Sequence, residues 1–186
     1  MRTPIIQICA LVVSRFCTFL GFNLMRRQWI LWIGLVTLAA DRVLNLWVSR
    51  TMYVGESIAI IPHVLWITYI LNSGAAFSLL RHNTLLFIAV AWVLLGVVAY
   101  VAWKFPKLPA RAIWGLGLLA GGSAGNLWDR MLTGRVVDYI HFRFWAIFNL
   151  ADAAIVIGMG LLVWEYWKRQ EDPPDAEDGS NGTTGS

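Results

Sequence analysis

Charged residues are scarce in this chain. Only 14% of its 186 residues are charged, 58% are hydrophobic, and the mean hydropathy is +0.61. A soluble domain has about 25% charged and about 45–50% apolar residues, so the composition argues against an ordinary water-soluble fold. The length suits a single domain. The 11 tryptophans suit a bilayer protein, because indole rings collect at membrane interfaces.

Cysteines and acidic residues are also few. The two cysteines, Cys9 and Cys17, both lie in the N-terminal apolar stretch and form neither a disulfide framework nor a metal-ligand set. His63 and His82 have no metal-ligand spacing with a cysteine or an acidic cluster, so we expect no metal and no other cofactor. Five of the 11 acids lie in the last 16 residues. Carboxylate chemistry in the body of the chain therefore has six candidates, which are Asp41, Glu56, Asp129, Asp138, Asp152 and Glu165.

Four apolar segments are long enough to cross a bilayer. A hydrocarbon core of about 30 Å needs about 20 apolar residues as helix, and in lipid the backbone must be helical to satisfy its own hydrogen bonds. The sequence therefore predicts an all-α polytopic membrane protein with transmembrane helices over 28–48, 84–103, 112–127 and 148–167. Short apolar patches such as 58–61 predict a small extramembrane β-element between the first and second helices.

The chain divides into three regions. Residues 1–27 form an N-terminal extension, interfacial or dispensable, because Arg15 at the centre of the apolar stretch would cost about 2.5–3.5 kcal/mol to insert. Residues 28–168 form the four-helix membrane domain. Residues 169–186 form an acidic tail whose Pro-Pro pair and SNGTTGS ending predict disorder.

Basic residues cluster on one side of the four predicted spans. These clusters are Arg26 with Arg27, the group of Lys104, Lys107 and Arg111, and the pair Lys168 and Arg169. Because basic residues favour the cytoplasmic side, both termini and the loop between the second and third helices should be cytoplasmic. Arginines in the two outer loops make the bias incomplete. Bases placed between apolar runs also argue against a nucleic-acid partner.

Three acids fall near the junction of the last two predicted helices. Asp129 ends the third helix, Asp138 lies in the connecting loop, and Asp152 opens the fourth. Consecutive helices joined by a short loop are antiparallel neighbours, so these carboxylates should meet near the outer membrane surface. Two adjacent carboxylates share one proton, so that one can accept a proton from water while the other donates. The arrangement suits aspartyl hydrolysis.

Two of these acids also have structural interpretations as ion pairs. Asp129 could pair with Arg130 at the membrane surface, and Asp138 could pair with Arg135 or Arg143 in a solvated loop. A four-span assembly protein would need no clustered loop carboxylates at all. A small transporter could use intramembrane acids as proton sites, but it would normally contain repeated halves.

The remaining polar positions have local interpretations as well. Asp152 lies three residues after Asn149, a spacing typical of helix capping. Asp41 lies deep in the first span and faces Asn45 one turn further on. His141 fits a loop histidine. The five glycines of the third span favour close helix packing or the approach of an extended peptide.

Five motifs in order resemble those of the bacterial lipoprotein signal peptidases (signal peptidase II), which are membrane aspartyl proteases with four spans. The likeness covers about residues 29–167. It rests on Asp41, NSGAAFS at 72–78, GNLWDR at 125–130, VVDYIHF at 136–142 and FNLADAAI at 148–155.

The resemblance implies that Asp138 and Asp152 are the catalytic pair of an enzyme that works without a metal. It implies cleavage of diacylglyceryl-modified prolipoproteins just before the lipidated cysteine, in the bacterial cytoplasmic (inner) membrane. We expect a monomer in contact with membrane lipid. Substrate-binding or supporting roles are implied for Asp41, Asn72, Gly74, Asn126, Asp129, Arg130 and Asn149.

The chain departs from the family pattern in its first span. The family usually has Asp-Gln there, with a lysine four residues after the aspartate, whereas this chain has Asp41, Arg42 and Asn45. On a helix Arg42 is turned about 100° away from Asp41, so we expect it to be a poor partner. The sequence predicts instead a protonated Asp41 hydrogen-bonded to Asn45.

Overall fold

The computed structural model describes residues 4–74, 83–105 and 107–171, and of residues 4–27 it describes only the helical backbone. Within these ranges the chain forms helices α1 (Pro4–Thr51), α2 (Thr84–Lys104), α3 (Ala110–Thr133) and α4 (Leu150–Glu171). The strands are β1 (Ser57–Ile61), β2 (Leu65–Asn72) and β3 (Val136–Phe142). Part of the NSGAAFS motif and almost all of the predicted acidic tail lie outside the described residues, and α1 is continuous across the predicted boundary at residues 27 and 28.

Helix α3 is the centre of the helical bundle and contacts α1, α2 and α4. Its glycines make two of these contacts unusually close. A Cβ atom added to Gly121 would lie 2.5 Å from the Gly34 carbonyl oxygen of α1, and one added to Gly122 would lie 2.4 Å from the Ala151 carbonyl oxygen of α4. Small residues in a membrane helix allow this approach of two backbones. Helix packing therefore accounts for these glycines.

Among the residues that the structure describes, three helical stretches are long and apolar enough to cross a membrane. They are Gln28–Thr51 of α1, α2 and α4, with mean hydropathies of 1.4, 2.7 and 1.4. Many of their large apolar side chains are exposed, as expected for surfaces that face lipid. The chain is therefore a multi-pass membrane protein. Helix α3 is not apolar enough to be counted with them. The composition of the helices therefore supports three of the four predicted spans and leaves the third one unconfirmed.

The extramembrane element is a three-stranded antiparallel sheet in the order β1-β2-β3. The prediction of a β-element between the first two helices was incomplete, because β3 comes from the segment between α3 and α4. Asp138 and His141 therefore lie on a strand and not in a loop. The β-branched and aromatic residues of VVDYIHF suit a pleated, half-buried strand, but only its pairing with β2 makes it one.

The sheet is anchored on the end of α1. Val48 of this helix and Met52, which directly follows it, pack against Tyr69 of β2 and Tyr139 of β3 in one buried cluster. The register of the sheet places Asn72 opposite Val136 and Ile70 opposite Asp138. This packing therefore holds the polar ends of β2 and β3 over the ends of the helices that adjoin the sheet.

Candidate active site

A cavity of about 570 Å³ lies where α2, α3, β3 and α4 converge. Six of the nine site residues predicted from the sequence line it, which are Asn72, Gly74, Asn126, Arg130, Asp138 and Asp152. Most of the remaining lining is apolar and comes largely from α2 and α4. Asp41, Asp129 and Asn149 do not line the cavity. They are buried beside it and bind the elements that do.

Asp138 is held in the cavity by a neighbouring strand. The Asn72 side-chain amide donates a 2.8 Å hydrogen bond to Asp138 Oδ2, and the Gly74 N–H donates to Asn72 Oδ1 at 2.9 Å. The second bond fixes the orientation of the Asn72 amide. The described contacts of Asp138 do not include Arg135 or Arg143, so the predicted ion-pair alternative is wrong. Among the described residues Asp138 Oδ1 has no hydrogen-bond partner.

The environment of Asp138 favours its protonated form. Burial of the side chain, which is only 2% exposed, raises the pKa of Asp138 to about 7. The negative charge of Asp152 is the second cause, while the Asn72 hydrogen bond and the Arg130 charge act in the opposite direction. Two neighbouring carboxylates that influence one another in this way titrate as a pair. At neutral pH the pair can hold one proton between them.

Asp152 lies in the first turn of α4 and caps the helix. Its N–H donates to Asn149 Oδ1 at 2.8 Å, and the Asn149 N–H donates back to Asp152 Oδ2 at 3.4 Å. This reciprocal pair is a capping box, so the capping interpretation is confirmed. The cap still leaves Asp152 in the cavity, where Asn126 donates a 2.7 Å hydrogen bond to Asp152 Oδ1. Capping and chemistry are therefore compatible for this carboxylate.

Two asparagines connect the elements around the cavity. The fully buried Asn149 donates through its side-chain amide to Asn126 Oδ1 at 3.1 Å and to the Val137 carbonyl oxygen at 3.3 Å. These bonds join α4 to α3 and to β3. Buried polar side chains need such partners, because an unpaired amide costs free energy. The network fixes the position of Asn126 against Asp152.

Arg42 binds Asp41, which corrects the prediction that Asp41 lacks a cation. Arg42 Nε lies 3.2 Å from Asp41 Oδ2, and Nη2 forms an ion pair with the same oxygen. Nη2 also donates to the Gly125 carbonyl oxygen at 3.1 Å. The angle of about 100° between consecutive side chains describes only the Cα–Cβ directions. Beyond Cβ the long arginine side chain bends back, so that its guanidinium reaches Asp41.

Asn45 and Arg130 also have partners other than those predicted. Asn45 Nδ2 donates to Asp129 Oδ2 at 3.0 Å and not to Asp41, so the predicted contact between Asp41 and Asn45 is wrong. Asp129 forms its ion pair with Arg42 and not with Arg130. The Arg130 guanidinium instead lies 4.9 Å from the centre of the Phe87 ring. Arg130 therefore contributes its charge to the cavity without being neutralised by its sequence neighbour.

Three residues of the site were missed in the sequence. Arg42 was dismissed because of its direction on the helix. Ser123, only 1% exposed and without a hydrogen-bond partner among the described residues, lines the cavity three positions before Asn126. Tyr139 accepts a 3.2 Å hydrogen bond from the Leu150 N–H at the start of α4, and burial raises the pKa of Tyr139 to about 12. Helical spacing could have identified Ser123, because positions i and i+3 share one face.

In the described part of the chain, no group of three or more His, Cys, Asp or Glu side chains is arranged to hold a metal ion. The cavity holds one buried and one half-buried carboxylate, Asp138 and Asp152, each with an amide partner, beside an arginine, and the pKa of Asp138 is raised. Such a pair can activate water by accepting a proton at one carboxylate and donating one from the other. The helices around these groups include α2 and α4, which are long and apolar enough to cross a membrane.

Comparisons with known proteins identify the family. Residues 33–168 match the family model described as signal peptidase (SPase) II. The chain is 43% identical over 136 residues to the lipoprotein signal peptidase of Desulfitobacterium hafniense, covering 72% of this chain and 90% of that protein. It is 45% identical over 130 residues to that of Pelotomaculum thermopropionicum, with 69% and 85% covered. The chain is a membrane peptidase. It belongs to the signal peptidase II family.

Solved structures show the same fold. One, described as a bacterial membrane enzyme determined at 2.3 Å resolution, has a TM-score of 0.75 and 30% sequence identity, covering 80% of this chain and 93% of that one. A second, at 1.9 Å resolution, has a TM-score of 0.69 and 31% identity, covering 75% and 92%. The similarity extends over nearly the whole of both solved chains.

Proposed function

We propose that this chain is an aspartic endopeptidase that removes the signal peptide from diacylglyceryl-modified prolipoproteins, cleaving before the lipidated cysteine. The observation that carries the proposal is that Asp138 and Asp152 line one cavity at the junction of the sheet and the helices. The names of the relatives, lipoprotein signal peptidases, support the substrate class. Peptide hydrolysis is a reaction that a proton-sharing carboxylate pair can perform, as in the aspartic proteases.

In the proposed mechanism the two aspartates have different roles. Asp138, whose pKa is about 7, carries the shared proton, and Asp152 is the base. Asp152 accepts a proton from water while the water oxygen attacks the scissile carbonyl carbon, and Asp138 donates its proton to the carbonyl oxygen. In the second step the proton on Asp152 passes to the cysteine nitrogen, the C–N bond breaks, and the gem-diol returns a proton to Asp138 as the new carboxyl group forms.

The apolar part of the cavity suits a lipid-modified substrate. Phe87, Val90 and Leu94 of α2 and Ile155 and Val156 of α4 line the same cavity as the two aspartates. Acyl chains of the substrate would pack on these side chains, each buried CH₂ group contributing about 0.8 kcal/mol. Because the acyl chains anchor the substrate in the bilayer, the enzyme must meet it at the membrane surface.

We also propose the predicted four-span topology, with α3 as the third span. The polar residues that lower the hydropathy of α3 do not face lipid: Ser123, Asn126 and Asp129 are buried against protein, as are the glycines at its contacts with α1 and α4. A helix surrounded by other helices can cross a bilayer with such residues. Both termini would be cytoplasmic in a bacterial inner membrane, with the active site near the outer face and the protein acting as a monomer.

The test of this function is a comparison of two substrates. The purified chain in lipid or detergent is incubated with a diacylglyceryl-prolipoprotein and with the same protein carrying serine in place of the modified cysteine, and cleavage is followed by gel shift. We expect cleavage of the lipidated substrate alone, with no effect of a chelator. A transporter or an assembly protein would leave both substrates intact, and that result would refute the proposal.

Activity should fall as the pH rises above about 7. With a pKa of about 7, Asp138 loses the proton that it must donate, so kcat should decrease about tenfold for each further pH unit. A pH–rate profile between 5.5 and 9 checks this. A profile that is flat through this range would contradict the assignment of Asp138 as the proton donor.

The same proton should make folding stability depend on pH. The pKa of Asp138 is higher in the folded state than its ordinary value of 3.8, so the folded state binds more protons than the unfolded state between those values. Its stabilising contribution is complete below pH 3.8 and is lost as the pH rises through about 7, on the order of 1 kcal/mol per pH unit. Asp138→Asn, which cannot titrate there, is the control and should lose this slope in thermal denaturation.

A further inference from the structure

We propose that Arg42 is a positioning residue that sets the separation of the two catalytic aspartates, acting through Asp41 and Asp129. The inference rests on the proposed function. It concerns a residue of α1 that does not line the cavity and that takes no part in the mechanism above.

The Arg42 guanidinium holds one carboxylate on each side. Nη1 forms an ion pair with Asp129 Oδ1 of α3, while Nη2 and Nε bind Asp41 Oδ2. Nη2 also donates to the Gly125 carbonyl oxygen of α3 at 3.1 Å. The planar, five-donor group of arginine suits this arrangement, whereas the ammonium of lysine is a point charge. Arg42 thereby links α1 to α3.

The other oxygen of each carboxylate binds the backbone next to a catalytic aspartate. Asp41 Oδ1 accepts a 3.1 Å hydrogen bond from the N–H of Ala151, the residue before Asp152. Asp129 Oδ2 accepts a 3.5 Å bond from the N–H of Val137, the residue before Asp138. The two arms follow the same course, since each runs from Arg42 through one carboxylate to the peptide unit that precedes one member of the pair, and the arm through Asp129 ends in the longer bond. A movement of Arg42 is therefore transmitted to both.

The ion pairs of Arg42 with Asp41 and Asp129 neutralise two carboxylates that have little access to solvent. Asp41 is fully buried and Asp129 is 8% exposed, so both carboxylates lie where an uncompensated charge is costly. Arg42 is the cation that the structure places between them. In the resembling family pattern the cation stands one turn along, at the position of Asn45, which here donates to Asp129. The chain thus has a cation at the adjacent position and an amide at the position of the lysine.

The positioning role of Arg42 can be tested by removing its charge and then placing a lysine at position 45 instead. We would compare Arg42→Gln, the double variant Arg42→Gln/Asn45→Lys and the control Arg50→Gln, which alters an exposed arginine on the same helix. The lipidated prolipoprotein is the substrate, and kcat, KM and the pH–rate profile are measured. Because a displacement of about 1 Å can cost about 10²-fold in rate, we expect Arg42→Gln to lower kcat by about that factor with little change in KM. The descending limb of the profile should shift, since the separation of the carboxylates changes.

The double variant should recover most of the lost kcat and the wild-type pH profile, and Arg50→Gln should match the wild type throughout. If Arg42→Gln does not fold, Arg42→Lys replaces it. This variant keeps the charge but cannot hold both carboxylates equally, so a lower kcat and a shifted profile are expected. A folded Arg42→Gln or Arg42→Lys with the wild-type kcat and profile overturns the proposal, as does a folded double variant without recovery.

One further variant separates failure of this inference from failure of the proposed function. Asp138→Asn is assayed beside the Arg42 variants. If the wild type does not cleave the substrate, or if Asp138→Asn cleaves it equally well, the proposed function fails and the positioning role fails with it. If Asp138→Asn is inactive while the Arg42 variants retain the wild-type kcat and profile, the positioning role alone is refuted.

Discussion

Replacement of either aspartate of the pair, Asp138→Asn or Asp152→Asn, is expected to lower kcat for the lipidated substrate by about 10⁴-fold or more. Each amide has nearly the shape of the carboxyl group that it replaces, so the protein should still fold and insert. The hydrogen bonds from Asn72 and Asn126 each reach one oxygen of a carboxylate, and a side-chain carbonyl oxygen can accept them. In Asp152→Asn the amide nitrogen replaces the oxygen that accepts the 3.4 Å bond from the Asn149 N–H, so this long bond is lost. What is lost is the ability to accept or donate the proton that activates water.

Glu165→Gln is the matched control for the two aspartate variants. Glu165 is a carboxylate on the same helix as Asp152, but it lies near the other end, where it pairs with Arg111 and Arg169. Its substitution removes one negative charge from α4 without affecting the cavity, so kcat should remain unchanged. Thermal denaturation checks that all three variants are folded. Substantial cleavage by folded Asp138→Asn or Asp152→Asn would refute the carboxylate pair, and an inactive but folded Glu165→Gln would show that the loss is not specific to the cavity.

Features set by short stretches of the chain were predictable from the sequence. Apolar runs of about 20 residues identified α2 and α4, because helix formation in lipid is imposed by the backbone itself. The cap of α4 followed from the spacing of Asn149 and Asp152. The meeting of Asp138 with Asp152 followed from the antiparallel arrangement of consecutive helices, and both now line one cavity.

Features that depend on distant partners were not predictable. Strand β3 exists because it pairs with β2, from which it is separated by two helices, and the composition of VVDYIHF alone did not indicate a sheet of three strands. The partners of Arg42 lie beside it on α1 and 87 positions away on α3, whereas a helical projection describes only the direction in which a side chain starts. The pairing of distant strands and the partners of long side chains can therefore be read only from the structure.

Gly122→Ala, at the contact between α3 and α4, is expected to lower both stability and kcat. A Cβ atom added at Gly122 would lie 2.4 Å from the Ala151 carbonyl oxygen and 2.9 Å from Ile155 Cγ1, and backbone cannot yield as a flexible side chain can. Gly122→Ala should therefore force α4 away from α3, lowering the free energy of unfolding by about 1–3 kcal/mol. Because Ala151 directly precedes Asp152, the same displacement should separate Asp152 from Asn126 and lower kcat by about 10²-fold.

Gly96→Ala on α2 is the matched control, because a Cβ atom there would have nothing within 4 Å. Alanine favours a helix by about 1 kcal/mol over glycine, so this variant should keep its kcat and melt at the same or a higher temperature. Thermal denaturation in detergent and the cleavage assay measure both effects. If Gly122→Ala matched Gly96→Ala in melting temperature and kcat, α3 and α4 would not be in backbone contact at Gly122. The carboxylate of Asp152 would then need some support other than the packing of α4 on α3.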